Sequence, residues 1–142
     1  MSQIDITPTL IEQLIDHEGI ELKAYKDTVG KITIGVGRNL DDVGISGEEA
    51  MILLKNDIQR IVDQLDEKLD WWRELDAARQ RALISMGFNL GIYGLLKFEK
   101  TLNALKNKRW VEASDEMMDS KWASQVGRRA EMLSQIMLTG NE

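Results

Sequence analysis

Two carboxylates, Glu18 and Asp27, lie 9 positions apart, and the segment Gly30-Lys31-Ile32-Thr33-Ile34-Gly35-Val36-Gly37 follows them at once. Cleavage of a glycosidic bond needs such residues: one carboxylic acid donates a proton to the leaving oxygen, and a second, ionised carboxylate activates water or attacks the sugar. Any two of the chain's 24 acidic residues form a nominal pair, so on spacing alone two solvated carboxylates remain the alternative. Other chemistries have less support. The absence of cysteine removes disulfides and thiolate metal sites, and a single histidine, His17, makes a zinc site or a hydrolase triad improbable. Gly35-x-Gly37 lacks the third glycine of a dinucleotide loop, because Leu40 stands there. Asp41-Asp42 reads as a solvated loop without the ligand periodicity of a calcium site.

The elements around these residues place them. Thr7 and Pro8 have the types of an N-cap and first helical position, and Leu10, Ile11, Leu14 and Ile15 follow helical spacing. A helix over 8–18 results, stopped by Gly19, with Glu18 at its last turn. The period then changes to two. Ile32, Ile34 and Val36 fall on one strand face, expected to be core, while Thr33, Gly35 and Gly37 fall on the other. A face nearly without side chains suits close approach of a ligand or another backbone. Asp27-Thr28-Val29-Gly30 forms the turn, so a short hairpin presents Asp27 with Thr33.

Further along, Ser46-Gly47-Glu48-Glu49 has capping-box spacing and opens a long amphipathic helix through Leu54, Ile58, Ile61, Leu65 and Leu69. Asp76 caps a helix through Leu90 that Gly91 ends, and helices are expected near 95–106, 110–119 and 128–138. The fold class is α+β. The expected organisation is one domain over 1–142: a β-hairpin lobe at about 19–46, a connecting helix at 47–70, and a helical lobe at 71–142 packed with helix 8–18. Trp71, Trp72, Trp110 and Trp122 read as packing residues, and Asn89 carries little signal.

Beyond spacing, Glu18-Gly19-x-x-Leu22-x-x-Tyr25-x-Asp27-x-x-Gly30-x-x-Thr33-Ile34-Gly35-x-Gly37 resembles the signature of phage lysozymes, or endolysins, of glycoside hydrolase family 24. The resemblance continues through Arg81–Gly91, Lys108–Ala113, Ser120-Lys121-Trp122 and Arg128-Arg129-Ala130, and so spans nearly the whole chain. It implies a lysozyme-like fold whose active cleft lies at the lobe junction, and a muramidase that cleaves between N-acetylmuramic acid and N-acetylglucosamine. In that scheme Glu18 is the acid, while Asp27 and Thr33 hold the water that attacks from the opposite face with inversion. Room for that water requires carboxyl groups about 6.5–9.5 Å apart. Arg129 matches the arginine that pairs with the catalytic glutamate. Phe88 matches an aromatic facing the cleft, Thr101 replaces a serine, and Gly35 completes the expected substrate-binding set. Arg38 is a departure, because the family commonly has histidine there; a histidine-dependent ion pair is thereby replaced by a permanently charged one. The segment after Gly37 is also shorter than in the T-even phage enzyme.

The net charge of −6 argues against general nucleic-acid affinity. Its distribution is uneven: residues 1–70 carry 15 acidic against 7 basic side chains, a balance of −8, and residues 71–142 carry 9 against 11, a balance of +2. No cofactor or metal is expected. The first residues have neither the basic flank nor the apolar run of an export signal, so synthesis in the host cytoplasm is expected. Action on the periplasmic wall would then depend on a holin or similar lesion. No stable membrane insertion is expected, and the protein is taken as a monomer. Three alternatives stay open: a virion-associated lysozyme used at entry, a lytic transglycosylase, and a lysozyme-like module retained only for binding.

Overall fold

Local signals set the first helix. In the computed structural model, which describes residues 3–142, α1 runs Pro8–Glu18, the Thr7 hydroxyl accepts from the Leu10 amide at 3.1 Å, and Gly19 ends it at φ 75°. A left-handed φ of that kind costs a residue with a Cβ, which is why glycine stops the helix there.

Three antiparallel strands follow: β1 (Glu21–Lys26), β2 (Ile32–Gly35) and β3 (Arg38–Asn39), in the order β1-β2-β3. The β1–β2 register pairs Lys26 with Ile32, Tyr25 with Thr33 and Glu21 with Gly35, with an irregularity between Glu21 and Tyr25. The hairpin is therefore present, and a two-residue third strand adds to it. The expected core face of β2 needs correction. Thr33 is the buried residue of the strand, Ile32 and Ile34 are half-buried, and Val36 lies exposed beyond the strand end. Thr33 sits on the central strand with Tyr25 opposite on one side and Asn39 on the other. Cross-strand neighbours on both flanks are something that an alternation rule read on one strand does not register.

Ser46 and Glu49 form the reciprocal capping box. The Ser46 amide donates to Glu49 Oε1 at 2.8 Å, and the Glu49 amide donates to Ser46 Oγ at 3.1 Å. α2 then spans Gly47–Lys68. A short 3-10 turn (Trp72–Glu74) leads to α3 (Ala77–Leu96), where the backbone is non-helical at Gly91 and helix resumes after it. The remaining helices are α4 (Glu99–Lys106), α5 (Trp110–Met118), α6 (Lys121–Val126) and α7 (Arg128–Thr139). Sequence periodicity starts the fourth helix near residue 95, but the break falls at Lys97 and Phe98; periodicity does not give α6, whose start at Ser120-Lys121-Trp122 only the family resemblance places in a helix.

The chain divides inside α2 into two compact units, Met1–Met51 and Ile52–Glu142. The second unit has a hydrophobic core that includes Leu65, Leu83, Met86, Leu95, Leu105, Met117 and Met137, each fully buried. The tryptophans take the packing roles expected: Trp72 and Trp122 are buried in this core, and Trp71 and Trp110 pack against it. Arg79 is 7% exposed, and it donates to the carbonyls of Met137 and Leu138 at 2.8 and 3.1 Å. These are orphan carbonyls at the end of α7, so a buried guanidinium caps the last helix while stacking 3.6 Å from the Trp110 ring centroid. No helix among the described residues is long and apolar enough to cross a membrane.

Candidate active site

Glu18 is the last residue of α1, and its carboxyl lies beside Gly37. A Cβ built on Gly37 would lie 3.1 Å from Glu18 Oε2 and 3.5 Å from its Cδ and Cγ. Gly37 has φ 70°. Both facts require glycine: the backbone turns through the left-handed region, and it passes where a side chain would strike the carboxyl.

Asp27 follows β1 and closes the hairpin turn with its own atoms. Its Oδ1 accepts from the amides of Val29 at 3.0 Å and Lys31 at 2.8 Å. Its carbonyl accepts from Gly30 at 3.0 Å, and its amide donates to the Lys31 carbonyl at 2.9 Å. Two backbone donors thus fix one carboxylate oxygen, and Oδ2 has no hydrogen-bond partner within residues 3–51. Thr33, opposite Tyr25, donates its hydroxyl to the Lys31 carbonyl at 3.0 Å and keeps its acceptor lone pairs. Gly35 ends β2 at φ 71°, across from Glu21.

Asp41 and Asp42 are exposed, as expected of a solvated loop, and they also hold that loop to the sheet. Asp41 Oδ2 accepts from the Ile32 amide at 2.7 Å, and Asp42 pairs with Lys31 at 3.2 Å and with the Asn39 amide group at 3.0 Å. Arg38 forms the permanently charged pair, and its partner is Glu49. Two parallel bonds of 2.7 Å join the guanidinium to the carboxylate, and Arg38 Nη1 also reaches the Gly44 carbonyl at 3.1 Å. The Arg38 hydrogen bonds hold the Glu49 carboxyl far below its usual range, to about 2. Sequence reasoning expected a charged pair at Arg38 but did not name Glu49 as its partner. Its only signal was that Glu49 already served the capping box while Arg38 stood on a short strand facing a return loop.

Among the expected site residues, Glu18, Asp27, Thr33 and Gly35 belong to the first unit, and Phe88, Thr101 and Arg129 belong to the second. Phe88 is 44% exposed and lines a groove of about 360 Å³ with Arg60, Gln64, Gly91 and Tyr93. Thr101 is buried on α4, beside a pocket of about 310 Å³ that Lys97, Phe98 and Ser120 also line. Arg129, in the first turn of α7, donates to the Ser85 carbonyl and hydroxyl at 3.1 Å each. Asn89 accepts from the Trp122 indole at 2.7 Å, a packing role. No group of three or more residues able to hold a metal ion occurs among the described residues.

Known proteins place this geometry in context. A family model described as Phage lysozyme matches residues 15–135. The chain is 30% identical over 161 aligned positions to the pre-baseplate central spike protein Gp5 of Enterobacteria phage T4, covering 94% of this chain and 28% of that protein. It is 28% identical over 161 positions to probable T4-type lysozyme 2 of Dictyostelium discoideum, covering 93% of this chain and 95% of the relative. It is also 32% identical over 152 positions to an endolysin of Bacillus phage B103, covering 96% of this chain and 55% of that protein. The matched region begins in α1, takes in the whole sheet and ends in α7, and the chain belongs to the phage lysozyme family of peptidoglycan-hydrolysing glycosidases.

Proposed function

We propose that the protein is an inverting muramidase that hydrolyses the β-1,4 bond between N-acetylmuramic acid and N-acetylglucosamine. Glu18 delivers a proton to the leaving oxygen. Asp27, held by two amides with its second oxygen turned to no partner in its own unit, and Thr33 orient the attacking water. Phe88, Thr101 and Gly35 contact the glycan, and Arg129 supports the acid. No metal or cofactor takes part.

The observation that carries this reading is the arrangement along β2. Glu18 lies at the Gly37 end and Asp27 at the Ile32 end, where Lys26 pairs with Ile32. The two carboxyl-bearing residues therefore flank opposite ends of one strand, and inversion requires their carboxyl groups about 6.5–9.5 Å apart, wider than the roughly 5–5.5 Å of a retaining pair.

Membership of the phage lysozyme family supports a role in lysis. The protein acts as a monomer on the periplasmic wall after synthesis in the host cytoplasm, reaching it through a holin-type lesion and lysing the host at phage release. Its identity to a phage spike protein favours a second reading, a lysozyme carried in the particle and used at entry. Proteomics of purified particles separates the two, since presence supports entry and absence supports release. The chemistry is tested by digesting purified peptidoglycan and analysing the ends. Reducing muramic acid ends of inverted anomeric configuration are expected; anhydro ends would identify a transglycosylase, and no product would identify a binding module.

A further inference from the structure

The Arg38–Glu49 pair is more elaborate than its exposure explains. Both side chains are more than a third exposed, 37% and 39%, and ion pairs at such positions add little to stability. Yet two bonds of 2.7 Å join the guanidinium to Glu49, a third reaches Gly44, and Glu49 Oε1 also accepts from Ser46. The first turn of α2 is thereby tied to β3 at Arg38, which shares a peptide bond with Gly37. Ile34 pairs with Arg38 from β2, so the far side of the same turn is held as well.

Glu18 is the side chain that a Cβ at Gly37 would meet. It has no hydrogen-bond partner within residues 3–51, and its carboxyl and Cγ rest against the place where a Gly37 Cβ would stand. A side chain at position 37 would meet that carboxyl, so the path of the Gly37 backbone bounds the space the carboxyl occupies. We infer that Arg38 and Glu49 are positioning residues: their fork fixes the Gly37 backbone, and that backbone fixes the orientation of the Glu18 carboxyl. This rests on the reading of Glu18 as the acid. The guanidinium matters for its shape, because a lysine at position 38 keeps the charge but not the two parallel bonds.

The test compares kcat and KM on soluble glycan fragments of peptidoglycan for the wild type, Arg38→Lys, Glu49→Gln, Arg73→Lys and Glu18→Gln, each confirmed folded by circular dichroism. Arg73→Lys is the control, because it loosens the equally forked Arg73–Asp66 pair, with bonds of 2.7 and 2.9 Å. Arg38→Lys and Glu49→Gln are expected to lower kcat about tenfold or more with KM held within about twofold, as small misplacements of a catalytic group do. Arg73→Lys is expected to leave kcat unchanged. The inference is overturned if folded Arg38→Lys and Glu49→Gln keep the wild-type kcat, if the loss falls in KM, or if Arg73→Lys lowers kcat equally. Glu18→Gln separates the two levels. Retention of wild-type kcat there removes the acid assignment itself, whereas an inactive Glu18→Gln beside normal Arg38→Lys and Glu49→Gln removes only the positioning roles.

Discussion

Residues 52–142 and residues 3–51 are held by different forces. The larger unit excludes water from a core of leucines, methionines, alanines and tryptophans, and its polar exceptions, such as Arg79, are satisfied by backbone carbonyls. The smaller unit relies on hydrogen bonds between side chains and backbone: the Thr7 cap, the Asp27 turn, Asp41 on the Ile32 amide, and the capping box joined to Arg38. Burial is non-directional and tolerates small adjustments, whereas hydrogen bonds fix angles. Glu18, Asp27 and Thr33 therefore sit where direction is specified, and stability is concentrated where area is buried.

The largest expected effect lies in the core. Leu83 is fully buried, and Leu83→Ala is expected to cost about 2–5 kcal/mol in denaturant unfolding through lost transfer energy and the remaining cavity. Activity per folded molecule is expected to hold, and a specific loss of turnover would break the division of labour. Next comes Arg79→Met. It strips the Met137 and Leu138 carbonyls of their donor and is expected to cost about 2–3 kcal/mol. Hydrogen exchange would show the loss first at the end of α7.

A smaller effect is expected in the other unit, where Thr7→Ala removes a helix cap at about 1 kcal/mol. Its signature is faster exchange of α1 amides with the core amides unchanged. The smallest is an acid limb of stability. Glu49, bonded first to Arg38, and Asp66, bonded first to Arg73 and then to Trp72, both have folded carboxyls held to about 2, against ordinary values of 4.5 and 3.8. The unfolded chain binds more protons between those values. The contribution is then complete above about pH 5 and declines as pH falls toward 2. Thermal midpoints measured across that interval are expected to fall less steeply in a Glu49→Gln/Asp66→Asn double variant.

Legibility in the sequence followed the same division. α1, its cap and stop, and the capping box at Ser46 were readable because each signal lies within a few residues of what it controls. The helices carrying the core were readable from periodicity, except where a six-residue helix, α6, was too short to show a period. Its Ser120 cap, which accepts from the Ala123 amide, was the available signal. Around β2 local rules failed. Thr33 is paired with Tyr25 and Asn39 from two other strands, and the Arg38–Glu49 fork depends on the path of the loop between them. The types of the candidate catalytic residues and the local turn at Asp27 were visible, but the Arg38–Glu49 fork and the approach of Gly37 to Glu18 were not, because they join residues distant in sequence.

The most direct measurement is the rate at which wild type and Glu18→Gln clear a suspension of purified Gram-negative peptidoglycan, with thermal midpoints taken in parallel. The account predicts that the substitution slows clearing by at least about a hundredfold, the scale of a lost general acid, with no fall in the midpoint. Clearing by Glu18→Gln at the wild-type rate would contradict it.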